Sequence, residues 1–115
     1  MEVIKSTDGY NLDLNHCEGL EIARLEERTV QVACLMLEKN KPWIHDSMHN
    51  KTVFAVISGR GKIENEYETQ EVFPQTWIIV PPHEKITFYP LENMHVIRVG
   101  YPINSFATKN PYVDF

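Results

Sequence analysis

The sequence is poor in cysteine and has no long apolar run, and each shortage excludes a class of protein. Its two cysteines, Cys17 and Cys34, fit no metal-ligand spacing and form no disulfide framework. No run approaches the ~20 apolar residues that a membrane-spanning helix needs. Residues 1–8 lack the apolar segment of a secretory signal peptide. We therefore expect a cytoplasmic protein with no membrane segment.

Positive charge is also scarce. The 115 residues include 11 Lys and Arg against 16 Asp and Glu, for a formal net charge of −5, and the basic residues are scattered singly. A nucleic-acid surface needs a concentrated basic face, so we expect no nucleic-acid partner. The length suits one hydrophobic core, and we predict a single domain over residues 1–115.

Short β-type segments separated by turns are what the sequence has in quantity. β-branched and apolar residues are concentrated in segments 29–37, 51–58, 77–80, 86–89 and 95–99. The first of these is apolar enough for a strand that is buried on both faces. Residues 18–28 suit a helix or a strand, and residues 66–71 are polar and are predicted to connect two strands. Many short strands at such intervals predict an all-β sandwich or barrel.

Two stretches in the middle of the chain carry a family resemblance. In the first, the segment Val-Phe-Ala-Val-Ile-Ser precedes Gly59, and in the second Trp-Ile-Ile-Val-Pro-Pro, residues 77–82, is an apolar strand ending in a proline pair. This layout resembles the small cupins, whose first motif places two histidines and a glutamate before a closing glycine. The resemblance covers about residues 30–100 and implies an all-β, cupin-like jelly-roll β-barrel.

The metal ligands that the resemblance implies are mostly replaced. Counted back from Gly59, the glutamate position falls on Thr52, and the histidine position of the second motif falls on Ile86. The other two histidine positions fall, depending on the spacer, on Asp46 and Met48 or on His45 and Ser47. A stable transition-metal site generally needs at least three suitable protein ligands, so no cofactor is favoured.

A different register would still allow a site for a divalent transition metal. His45 and His49 are four residues apart, so in an extended strand they project from the same face. With His95 on the last strand they would form a three-histidine site. We favour the alternative, in which His45 and His49 are polar residues of a solvated loop.

Side-chain alternation predicts what lines the barrel. If Thr52 points inward, so does Phe54, and Ile86 and Phe88 share the inward face of another strand. The candidate ligand pocket consists of Trp43, His45, Met48, Thr52, Phe54, Ile86 and Phe88. Such a mainly apolar pocket suits an uncharged small molecule oriented by one or two polar contacts. The equally favoured alternative is that these side chains simply fill the interior.

Four further residues are weighed individually. Trp77 begins an apolar strand and is predicted to be core. Arg98 either points outward to water, which we favour, or anchors an acidic ligand inside. Tyr67 and Tyr89 are candidate acid/base groups, because the resemblance includes metal-free enzymes that work with a histidine and a tyrosine.

Three functional hypotheses follow. The favoured one is a metal-free protein that binds a small molecule in the barrel. The alternative is a cupin enzyme, either a metal-dependent oxygenase or isomerase with an altered histidine site or a metal-free isomerase or lyase. The third is a structural role with a filled barrel. The resemblance also implies a homodimer, and the aromatic tail, residues 101–115, is predicted to pack along the barrel or on a partner subunit.

Overall fold

The computed structural model of this protein describes residues 1, 3, 5, 9–14, 17–25 and 30–102. Over these residues the chain forms strands and no helix, and nothing in this part is a helix able to cross a membrane. The strands are β1 (Tyr10–Leu14), β2 (Cys17–Leu25), β3 (Val30–Leu37), β4 (Trp43–Asp46), β5 (Asn50–Ser58), β6 (Gly61–Glu64), β7 (Thr69–Val72), β8 (Trp77–Val80), β9 (Lys85–Pro90) and β10 (Met94–Pro102).

The strands form two antiparallel sheets. The six-stranded sheet has the order β1-β2-β3-β10-β5-β8, and the four-stranded sheet has the order β4-β9-β6-β7. The inner faces of the two sheets meet, as the contact of Phe54 on β5 with Phe88 on β9 shows, with ring centroids 5.2 Å apart. The predicted all-β barrel of jelly-roll type is confirmed.

The predicted strands correspond to β3, β5, β8, β9 and β10, within a few residues at each end. For residues 18–28 the sequence is compatible with a helix or a strand. The structure has β2 (Cys17–Leu25) there, so the strand alternative is confirmed. The prediction of a connection over residues 66–71 is wrong in its second half, because β7 begins at Thr69 and pairs with β6. Residues 103–115 of the predicted tail lie outside the described residues.

Alternation decides which side chains form the core. Along β5, Thr52, Phe54 and Val56 are buried, whereas the residues between them are half-buried. On β10 the inward side chains Met94 and Val96 are fully buried. Full burial of an apolar side chain of this size contributes roughly 1.5–3 kcal/mol, so the face between the sheets carries most of the stability.

One end of the barrel is closed by the turn between β5 and β6. Gly59 has a φ of 88°, a conformation that residues with a side chain rarely adopt. A Cβ there would also collide with the carbonyl oxygen of Asn93 and lie 2.8 Å from Cα of Met94. Backbone N–H of Leu91 donates to the carbonyl of Arg60 at 2.9 Å. The two turns, residues 58–61 and 91–93, therefore pack on each other and seal this end.

Two burial predictions are wrong. Trp77 is 70% exposed because it occupies an outward position of β8, where Ile78 and Val80 take the inward ones. β3 is not buried on both faces: Ala33, Leu35 and Leu37 point inward, but Met36 between them is 44% exposed. The apolar sequence of β3 predicts burial on both faces, but in the fold the outward side chains of β3 stay on the outer face of the sheet.

Candidate functional site

The open end of the barrel holds a cavity of about 340 Å³ between the two sheets. We call this end the barrel mouth, and its polar lining consists of Gln31, His45, Asp46, Ser47, Asn50, Thr52 and Arg98. Trp43 and Gly100 also line the cavity. A Cβ built on Gly100 would meet no atom within 4 Å, so the absent side chain leaves part of this space open.

His45, Thr52 and Arg98 point inward because of their positions in β4, β5 and β10. On β4, Trp43 and His45 are buried and the residues between and after them are exposed. On β5, Thr52 lies one inward step beyond Phe54. On β10, Arg98 has the same parity as the buried Met94 and Val96, and it lies opposite Phe54 in the register. Arg98 therefore faces the barrel mouth.

His45 is held by two hydroxyl groups. Its Nε2 lies 3.1 Å from Oγ of Ser47 and 3.2 Å from Oγ1 of Thr52, and all three side chains are buried. No hydrogen bond of the described residues reaches Nδ1 of His45. Because no enclosed side-chain nitrogen or oxygen in the described part of the chain lacks a partner, Nδ1 has access to the cavity.

His45 is neutral at pH 7. Burial lowers its pKa most, the positive charge of Arg98 lowers it further, and Asp46 opposes them, so that the pKa falls from 6.5 to about 4. A neutral imidazole carries one N–H and one acceptor nitrogen. His45 therefore offers the cavity either a donor or an acceptor at Nδ1, according to the role that Nε2 takes with the two hydroxyls.

Arg98 is oriented by a chain of hydrogen bonds that crosses three strands. Its Nη2 donates to Oε1 of Gln31 at 2.7 Å, and Nε2 of Gln31 donates to Oε1 of Glu21 at 2.8 Å. The two bonds fix which end of the Gln31 amide faces Arg98. A guanidinium group has five N–H donors, and one on Nη2 is given to Gln31.

Below this polar layer three aromatic rings close the barrel. We call Trp43, Phe54 and Phe88 the aromatic floor: the centroid of Phe54 lies 6.2 Å from Trp43 and 5.2 Å from Phe88, and Trp43 lies 5.8 Å from Phe88. The ring of His45 meets Phe54 edge-on at 4.9 Å. At this level the three rings pack against one another between the two sheets.

The candidate pocket residues therefore divide into three groups. Trp43, His45 and Thr52 line the cavity, whereas Phe54, Ile86 and Phe88 are buried and do not line it. Met48 is 59% exposed and faces away from the barrel, because a turn with a φ of 49° at Met48 ends the alternation of β4. The expected inward position of Met48 is wrong, and the lining is more polar than the predicted pocket.

The three candidate histidine ligands do not converge. His49 stands beyond the turn, where its ring meets His83 at 5.3 Å, and His95 occupies an outward position of β10 opposite Met36. Among the described residues, no three His, Cys, Asp or Glu side chains are grouped as metal ligands. Nε2 of His45 is hydrogen-bonded to two hydroxyls, and the charges of Arg98 and Asp46 both act on the ring. One imidazole with two hydroxyls does not supply the three ligands that a divalent transition metal generally needs.

The two candidate tyrosines lie away from the barrel mouth. Tyr67 is 83% exposed, and Tyr89 lies on the outer face of the four-stranded sheet, where its hydroxyl donates to Glu64 at 3.1 Å. Hydrogen bonding to Glu66 raises the pKa of Tyr67, and hydrogen bonding to Glu64 raises that of Tyr89. Neither side chain lines the cavity.

Sequence reasoning missed Ser47 and Gln31 as site residues and favoured the wrong direction for Arg98. β10 is apolar at Val96, Ile97 and Val99, so its pattern does not tell the inner from the outer face. The sequence signal that could have placed Arg98 is its spacing. Arg98 is two residues from Val96 and four from Met94, so all three side chains share one face of β10.

The chain belongs to the class of two-sheet, antiparallel jelly-roll barrels, and comparison with known proteins narrows that class. No protein-family model and no curated protein sequence matches the chain. Solved structures do match it. KdgF from Halomonas sp. aligns with a TM-score of 0.75 and 16% identity over 90% of this chain and 96% of that one.

Two further structures agree with that match. A structure described as a predicted oxalate decarboxylase from Thermotoga maritima has a TM-score of 0.76 at 10% identity, covering 89% of this chain and all of that one (100%). The Cnp3 cupin domain of Schizosaccharomyces pombe has a TM-score of 0.71 at 14% identity, covering 90% and 73% of the two chains. The chain is a small domain with the cupin fold. At these identities the likeness concerns the fold, and function has to be argued from the site.

Proposed function

We propose that this domain binds a small organic acid at the barrel mouth, with the carboxylate facing Arg98. The observation that supports the proposal is an inward guanidinium beside a neutral, buried histidine in a partly open cavity. Arginine presents parallel N–H donors that match the two oxygens of a carboxylate. The proposal replaces the uncharged ligand that the sequence suggested, because Arg98 adds a positive charge to the lining.

Arg98 is the cationic residue of the cavity lining, and we expect its charge to favour an anionic ligand. The positive charge of Arg98 lowers the pKa of His45, so this charge acts on other groups that line the cavity. Charges interact more strongly in such a partly buried place than in water. Glu21 accepts from Gln31, and Asp46, which lines the cavity, accepts from the backbone N–H of Met48 at 2.9 Å. Of the two charges that act on His45, Arg98 changes its pKa more than Asp46 does.

The remaining lining suits the rest of such a molecule. Trp43 offers an aromatic wall, and Nδ1 of His45 with the Gln31 amide offers polar contacts. The cavity volume, about 340 Å³, is at the lower end of the range of roughly 300–1,000 Å³ that is usual for ligand pockets. We therefore expect a compact acid with a small apolar or aromatic part.

One observation favours a metal-free enzyme as a second candidate, namely that Nδ1 of His45 is open to the cavity. A general base works best with a pKa near the operating pH. At a pKa of about 4, His45 is a weak base at neutral pH and is better suited to accepting or donating a hydrogen bond. Binding is therefore the function that the site supports best.

The direct test is a ligand screen by thermal shift and titration calorimetry with small aliphatic and aromatic carboxylic acids, each paired with its primary amide. We expect at least one acid to bind and its amide to bind much more weakly. An acid at one hundred times its Kd stabilises the fold by about 2.7 kcal/mol, enough for a clear shift. Failure of every acid, or equal binding of acids and amides, would contradict the proposal.

Two variants locate the binding. Arg98→Met should weaken binding of the acid at least tenfold, whereas Arg60→Met, at an exposed position outside the cavity, should leave it unchanged. Gly100→Leu should block the cavity while the fold stays intact, because space is open around Gly100.

Elemental analysis of the untagged protein tests the metal-dependent alternative: about one equivalent of metal, lost in His45→Ala, would favour that enzyme instead.

A further inference from the structure

The described side chains that line the barrel mouth include two charged ones, and these two stand on different sheets. Arg98 belongs to β10 of the six-stranded sheet, and Asp46 ends β4 of the four-stranded sheet. The ring of His45 is within reach of both charges: after burial, which affects its pKa most, Arg98 lowers that pKa and Asp46 raises it. A molecule in the mouth therefore meets a positive group on one side and a negative group on the other.

Asp46 stands at the edge of the mouth. It is exposed, whereas His45 before it and Ser47 after it are buried. Its Oδ1 accepts the backbone N–H of Met48 at 2.9 Å, and this bond fixes the direction of the carboxylate. The second oxygen, Oδ2, has no hydrogen bond to any other described residue. Since a carboxylate accepts through both of its oxygens, Asp46 can take an N–H donor from a bound molecule.

Lys85 is the side chain of this protein that could compete for Asp46, because the two residues are paired in the register of β4 and β9. Both are exposed, and within the described part of the chain no ion pair joins them. Ion pairs between exposed side chains contribute little in water. Lys85 therefore leaves the carboxylate of Asp46 accessible to a ligand.

Asp46 also borders a neighbouring cavity of about 730 Å³, outside the barrel mouth. Three further carboxylates, those of Glu64, Glu66 and Glu84, line that cavity together with Lys85. Where carboxylates outnumber cations, the local potential favours positive charge. The potential around the mouth thus changes sign, from positive at Arg98 to negative on the side of Asp46.

We propose that the small acid bound at the barrel mouth is an amino acid, with its carboxylate on Arg98 and its ammonium group on Asp46. This inference rests on the function proposed above and names the class of ligand. A zwitterion places an opposite charge against each of the two charged side chains, whereas a simple acid brings a second negative charge close to Asp46. The aromatic wall of Trp43 is left for the amino acid's side chain, and the cavity of about 340 Å³ limits its size.

The test is titration calorimetry of the full-length chain with matched sets of three molecules. Each common amino acid is compared with the acid that lacks its amino group and with the amine that lacks its carboxyl group. One such set is phenylalanine, hydrocinnamic acid and phenethylamine, and another is leucine, isocaproic acid and isoamylamine. We expect at least one amino acid to bind about threefold or more tightly than the acid of its set, as one partly exposed ion pair would give. The amine should bind more weakly than the amino acid.

Two variants assign the preference to Asp46. Asp46→Asn keeps an oxygen that can accept the N–H of Met48 and removes the charge, so the amino acid should lose its advantage while the simple acid binds at least as tightly as before. The matched control, Glu92→Gln, removes an exposed carboxylate at the sealed end of the barrel and should keep the preference.

The outcomes separate this inference from the function on which it rests. If simple acids bind as tightly as their amino acids, or if the preference for the amino acid survives Asp46→Asn, the inference is wrong and binding of an organic acid still stands. If neither acids nor amino acids bind, the proposed function itself is wrong.

Discussion

The barrel mouth and the aromatic floor are adjacent layers of one barrel, built by the same strands from successive inward positions. β5 contributes Thr52 to the mouth and Phe54 to the floor, and β4 contributes His45 and Trp43 in the same way. In the floor, three rings contact one another. In the mouth, the inward side chains are polar, satisfy one another through hydrogen bonds and surround open space. A shift of two residues along a strand thus separates the layer that stabilises the barrel from the layer that can bind a molecule.

The largest effect expected from this comparison is on the floor. Phe54 is fully buried and contacts three other rings, so Phe54→Ala should lower the free energy of unfolding by about 3–5 kcal/mol. The matched control, Phe73→Ala, removes a phenylalanine that is 54% exposed and should cost about 0.5 kcal/mol or less. Urea denaturation measures both. Similar losses in the two variants would mean that the floor is not closely packed.

The mouth should make stability dependent on pH. The pKa of His45 is about 4 in the folded chain and 6.5 when unperturbed, so the unfolded state binds a proton more readily. The contribution of neutral His45 is therefore fully present above pH 6.5 and is lost progressively as the pH falls through about 4.

Urea denaturation at a series of pH values measures this dependence. His45→Gln should reduce the loss of stability between pH 6.5 and pH 4, whereas His49→Gln, at an exposed histidine outside the barrel, should retain it. If His45→Gln has the same pH profile as the wild type, His45 is not the neutral, enclosed group described here.

The smallest effect concerns one hydroxyl of the mouth. Thr52→Val keeps the shape of the side chain and removes one of two hydrogen bonds to Nε2 of His45, and Ser47 keeps the other. We expect a loss of about 0.5–1.5 kcal/mol in the free energy of unfolding. Thr69→Val, which removes an exposed bond to Glu64, should change it by about 0.5 kcal/mol or less. A Thr52→Val variant as stable as the wild type would show that Ser47 alone holds the ring.

Local sequence determined much of the framework. Alternating apolar residues and turn residues predicted five strands, and they did so because a strand with one buried face must repeat every two residues. Gly59 marked the closing turn, where its φ of 88° and the nearby Asn93 exclude a side chain. The inward set Thr52, Phe54, Ile86 and Phe88 also followed from alternation, and all four are buried. The replacements at two expected metal-ligand positions, Thr52 and Ile86, were visible by counting along the motifs.

Only the tertiary structure decided which face of each strand is inside and where alternation stops. β10 and β8 are apolar on both faces, so their sequences are compatible with either orientation, and pairing with β5 sets Arg98 inward and Trp77 outward. The turn at Met48 breaks the pattern that would have carried His49 into the barrel with His45. The site joins Gln31, His45, Ser47, Thr52 and Arg98 across both sheets. Contacts between residues so far apart in the chain depend on how the strands pair and the sheets pack. A local sequence pattern does not determine that pairing or packing.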